Sequence, residues 1–142
     1  LAVMPQLAGF IPMLTGTGGN CGSQSSTLVI RGLAIGEIEF RDLFKVIWKE
    51  VRIAVCISII LAVVNGARIV LMGQGDAMMA LTIGATMACT VIIAKVVGCT
   101  LPLVAKKVGL DPAIMATPLI STLVDISTIS VYFAIVSFVF RL

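Results

Sequence analysis

The chain has 142 residues, 59% hydrophobic and only 12% charged, with a mean hydropathy of +1.15. A soluble domain of this size carries roughly twice that share of charge, whereas apolar runs of about 20 residues mark membrane-spanning helices. The net charge of +3 is too small and too dispersed for a nucleic-acid interface, and the absence of histidine excludes imidazole bases, catalytic triads and histidine-ligated zinc.

The expected fold is all-α: a polytopic membrane protein with four transmembrane helices and a cytoplasmic amphipathic interfacial helix, forming one pore domain over residues 1–142. Helix is required because backbone exposed to lipid must satisfy its own hydrogen bonds, and no alternating strand pattern is present. The first span covers residues 1–32. It opens mid-segment, without a signal-peptide layout, so the sequence reads as a piece of a longer protein. Its centre, Thr15 to Ser26, holds Gly16, Gly18, Gly19 and Gly22. Small residues let membrane helices approach closely, so one reading is a packing stripe of Gly16, Gly19, Asn20 and Ser23. In the other, the helix thins or breaks there, and its carbonyls, with Gly19 and Asn20, line a watered path. Pro12 and Pro118 each sit within an apolar helix ahead of a polar patch, where a proline kinks the helix and frees a carbonyl.

The first connection carries Arg31, Arg41, Lys45, Lys49 and Arg52. Phe40, Leu43, Phe44, Ile47 and Val51 recur at helical spacing, which predicts an interfacial helix over 38–51 with Trp48 in the aromatic belt. Glu37, Glu39 and Asp42 read as solvated caps. The second span, 53–72, ends in a glycine turn, and Asp76 caps the third span, 77–104. Lys95 lies inside that third span; its stem lets the ammonium snorkel to the cytoplasmic surface, the rival being an ion pair with Asp125. Lys106 and Lys107 follow. The positive-inside rule then puts the first and third connections in the cytoplasm and the C-terminus outside. Cys21, Cys56, Cys89 and Cys99 have small or apolar neighbours and no CxxC pairing, and read as buried packing residues.

The last span, 112–140, starts at Asp111-Pro112, a cap followed by the residue suited to a first helical position. Asp125 lies in its middle. A carboxylate near the bilayer centre costs about 2.5–3.5 kcal/mol on insertion scales, so it faces a partner, an ion or water. Thr117, Ser121, Asp125 and Thr128 follow steps of four, four and three and form one oxygen-bearing stripe. Mg2+ dehydrates reluctantly and binds through one or two carboxylates while keeping water; Mn2+ and other divalent ions use similar oxygen ligands. Two chains meeting on a two-fold axis turn one acid into a pair.

Taken together, Gly18-Gly19-Asn20-Cys21-Gly22-Ser23-Gln24 after Pro12, then Leu101-Pro102-Leu103, Gly109-Leu110-Asp111-Pro112-Ala113 and Pro118-Leu119-Ile120-Ser121-Thr122-Leu123-Val124-Asp125, resemble the transmembrane domain of the MgtE magnesium transporters. The resemblance covers essentially the whole chain. It implies a homodimeric Mg2+ channel of the bacterial inner membrane, with five spans per subunit, the second and fifth lining the pore. An acidic residue on the fifth span that binds hydrated Mg2+ matches Asp125. The pore positions one and two turns earlier match Ser121 and Thr117, departing from the alanine and asparagine frequent there. The family also carries cytoplasmic regulatory domains, to which nothing here corresponds.

Two other functions compete: a secondary transporter with Asp125 as a proton or Na+ relay, and a structural subunit whose polar stripes only join helices.

Overall fold

The computed structural model describes residues 3–114 and 118–141. Five α-helices follow in chain order: α1 (Val3–Ala8), α2 (Ile11–Ala34), α3 (Leu43–Leu71), α4 (Ala77–Lys107) and α5 (Pro118–Phe140), with a 3-10 turn at Phe40–Asp42 leading into α3. Among the described residues, three helical stretches are long and apolar enough to cross a membrane: Phe40–Leu71, Ala77–Lys107 and Pro118–Phe140. At 24 residues, α2 is long enough at roughly 36 Å, but its glycines and hydroxyls keep it out of that set.

Several expectations are corrected. The helix does not break in the glycine-rich run; α2 continues through it, and the interruption lies earlier, at Gly9–Phe10. Pro12 therefore sits in the first turn of α2, and Pro118 is the first described residue of α5. In a first turn a missing N–H costs nothing, so Pro12 does not kink the helix; the residues just before Pro118 lie outside the described ones. The interfacial helix and the second span are one helix, Leu43–Leu71, because no glycine or proline occurs between Leu43 and Asn65 to end it. Its apolar face also divides. Leu43, Val46 and Ile47 pack against Val29, Leu33, Cys99 and Leu103, while Phe44 and Trp48 point outward. Asp111 caps a short turn, its Oδ1 accepting from the Ala113 N–H at 2.9 Å, and α5 is described from Pro118. Asp125 lies seven residues beyond Pro118, roughly 10 Å along the axis of α5.

The centre of the bundle is α4, which packs against α2, α3 and α5. Its buried face is built from small or flexible residues, among them Thr86, Met87, Thr90, Ala94 and Gly98. Gly98 meets the backbone of Gly22, so close that a Cβ there would overlap the Gly22 carbonyl oxygen. This is the close approach that small residues permit between membrane helices. Leu14, Ile83, Val91, Ile120 and Val124 fill the core around it. At the far end, Tyr132 donates its hydroxyl to the Leu7 carbonyl at 2.7 Å, tying α5 to α1.

Asp76 caps α4 as its sequence position predicts, with Oδ1 accepting from the Met79 N–H at 2.9 Å. Asp76→Ala is expected to cost about 1 kcal/mol, read as a lower thermal unfolding temperature of the detergent-solubilised protein.

Candidate functional site

Residues four apart on α5, namely Ile120, Val124, Thr128, Tyr132 and Val136, form its buried seam. One position further round the helix, Ser121 and Asp125 are half-buried and turn toward α2. On α2 the glycines divide by the same logic. Gly18 and Gly22 are packing positions: a Cβ on Gly18 would lie 2.8 Å from both Thr90 Cγ2 and Val124 Cγ1, and one on Gly22 would lie 2.9 Å from Ile120 Cγ2. Gly16 and Gly19 face outward, with open space around Gly16 and Ser121 Oγ 3.8 Å from where a Gly19 Cβ would be.

Between those outward glycines and α5 runs a groove of about 380 Å³, lined among others by Thr15, Gly19, Asn20, Ser23, Ser121 and Asp125. Four of the residues singled out from sequence (Asp125, Ser121, Gly19 and Asn20) therefore meet in one place. Thr128 does not join them. It is buried, with Oγ1 3.2 Å from where a Gly18 Cβ would lie and no hydrogen-bond partner among the described residues. Thr117 lies outside the described residues.

The groove is oxygen-rich and carries one charge. Among the described residues the ion pairs are Arg41–Glu39, Lys45–Asp42 and Lys95–Glu50, so the Asp125 carboxylate has no cationic partner. No group of three or more cysteine, aspartate or glutamate side chains is placed to enclose a metal ion among those residues. One carboxylate with hydroxyl, amide and carbonyl oxygens suits a cation that keeps part of its water shell.

A neighbouring recess shares part of this wall. Asn20 and Ser23 also line a second recess of about 550 Å³, together with Gln24, Thr27, Leu28 and Lys95. From Thr15 to Thr27, α2 thus presents a polar face roughly 18 Å long.

Lys95 overturns both of its sequence expectations. It neither snorkels nor meets Asp125: its Nζ lies 3.1 Å from Glu50 Oε2, with both side chains buried. Ser25 donates its hydroxyl to the same oxygen at 2.5 Å. Glu50 was missed because Lys49 and Arg52 flank it and make the segment look solvated. Its spacing held the signal, since Glu50, Ala54 and Ser58 are the buried seam of α3, at steps of four.

Comparison with known proteins bears on this geometry. Residues 11–135 match the family model MgtE, described as a divalent cation transporter. The chain is 32% identical over 135 residues to the magnesium transporter MgtE of Thermus thermophilus, covering 95% of this chain and 30% of that protein. It is 35% identical over 133 residues to the magnesium transporter MgtE of Bacillus subtilis, covering 91% and 28%. The corresponding protein of Enterococcus faecalis is 32% identical over 138 residues, covering 95% and 30%. The chain therefore spans about three tenths of the length of the curated relatives it matches.

Proposed function

The chain belongs to the MgtE family of divalent cation transporters, and from that membership we propose that it is a pore module conducting partly hydrated Mg2+ through the membrane. One observation carries the reading: the unpaired Asp125 carboxylate shares an open groove with Ser121, Gly19 and Asn20. In a homodimer with this face on the two-fold axis, two such grooves close into one path and two carboxylates address one ion. Water retained by the ion bridges to Ser121, Asn20 and the carbonyls beside Gly19, so the ion never sheds its whole shell. Thr128 sets the spacing between α2 and α5 instead of facing the ion.

In this reading α2 crosses the bilayer with α3, α4 and α5, its polar face turned to the path and not to lipid. The protein lies multi-pass in the inner membrane, with the basic first and third connections in the cytoplasm. Contacts between them support their lying at one end of the bundle: Lys106 Nζ donates to the Leu33 carbonyl at 3.0 Å, and Lys107 Nζ sits 4.1 Å from the centroid of the Phe40 ring. Cytoplasmic regulatory domains of the full-length protein would act from that side.

Flux into proteoliposomes, measured with and without a proton gradient at fixed membrane potential, separates a channel from a coupled transporter. Mg2+ uptake is expected to follow the Mg2+ gradient alone. Strict dependence on the proton gradient would make Asp125 a proton relay instead.

A further inference from the structure

Two buried charges have no part in the site as described so far. Glu50 and Lys95 are 4% and 3% exposed and join α3 to α4, and the Ser25 hydroxyl on α2 donates to the same carboxylate oxygen. A buried ion pair of this kind contributes little to stability, because removing both charges from water offsets most of their attraction. Packing alone therefore gives a weak reason for placing it here. Its location gives a stronger one. Lys95 is one of the residues lining the recess that shares Asn20 and Ser23 with the Asp125 groove.

We infer that Lys95 is a specificity-determining positive charge on the flank of the ion path, and that Glu50 is the positioning residue that sets how much of that charge the path feels. The inference rests on the pore reading above. With Glu50 ionised the pair is close to neutral, and a cation beyond Asp125 meets little repulsion. Without the carboxylate, an unscreened ammonium stands in low-dielectric surroundings beside a divalent ion, which feels twice the repulsion a monovalent ion would. Ser25 supports the arrangement by holding Oε2, which fixes where Lys95 Nζ sits.

The two charges make opposite predictions, and this is the test. Mg2+ flux is measured in proteoliposomes per mole of folded protein for Glu50→Gln, Lys95→Gln and the double variant, with K+ flux alongside. Glu50→Gln should lower Mg2+ flux about tenfold and K+ flux less. Lys95→Gln should keep or raise Mg2+ flux and relax the preference for divalent ions. The double variant, with a neutral amide pair still within reach of Ser25, should return Mg2+ flux to within about threefold of wild type. If both single variants lose flux equally, with an unchanged ratio of Mg2+ to K+, the pair only holds the helices together and the inference is overturned. Asp125→Asn in the same vesicles separates the two levels: wild-type flux there would remove the pore reading itself.

Discussion

Asp125→Ala is expected to reduce Mg2+ uptake at least tenfold while the protein still inserts and folds. A hydrogen bond to a charged group contributes about 1.5–3 kcal/mol, and each 1.4 kcal/mol is a factor of ten in occupancy. In a two-fold pore the substitution removes both carboxylates at once, so the loss reaches the upper part of that range. Folding should not suffer, because Asp125 has no ion-pair partner among the described residues to strand. Removing an unpaired carboxylate from the membrane is, if anything, favourable. Asp125→Asn keeps the volume and discards the charge, and should behave alike. The measurement is uptake into vesicles, normalised to folded protein, together with Mg2+-dependent thermal stabilisation. Both should vanish together. Wild-type uptake by either variant would mean that the ion passes elsewhere.

Gly98→Ala is expected to destabilise the bundle by about 1–3 kcal/mol, the usual cost of overpacking. The added methyl would run into the Gly22 carbonyl, which belongs to the backbone of a long helix and cannot rotate aside as a side chain does. Relief requires α2 and α4 to separate, which also disturbs the contacts of Gly18 and Gly22 with α5. Gly66→Ala is the matched control. Nothing lies within 4 Å of where its Cβ would sit, so alanine's higher helix propensity should stabilise α3 by up to about 1 kcal/mol. Thermal unfolding of the solubilised variants compares the two. Equal effects would mean that the α2–α4 approach is looser than described.

Where local periodicity decides the outcome, the sequence is readable. Ser121 and Asp125 stand four apart among apolar residues and line one groove, and Asp76 precedes an apolar run and caps it. Thr128 looked like the next rung of the same stripe. Three residues at 100° each turn it about 60° back from Asp125, onto the seam of Ile120 and Val124, and only the position of α2 shows that this side is covered. The glycine run had the same ambiguity: Gly16 and Gly18 are equally small, and only neighbouring helices decide which of them is packed. Lys95 was illegible for another reason. Its partner is 45 residues away on another helix, and pairing across that distance leaves no local signature.

The uninterrupted course of α3 has a mechanical consequence. From Leu43 to Asn65 it contains no residue that acts as a hinge, so that stretch behaves as a stiff rod about 34 Å long. Glu50 is anchored on that rod two turns above the Phe40–Asp42 corner. A displacement of that corner would be carried along the rod to the Glu50 carboxylate and to the lysine paired with it. In the proposed topology the N-terminal end of α3 would thus be a lever by which a displacement at the Phe40–Asp42 corner shifts the Glu50–Lys95 pair.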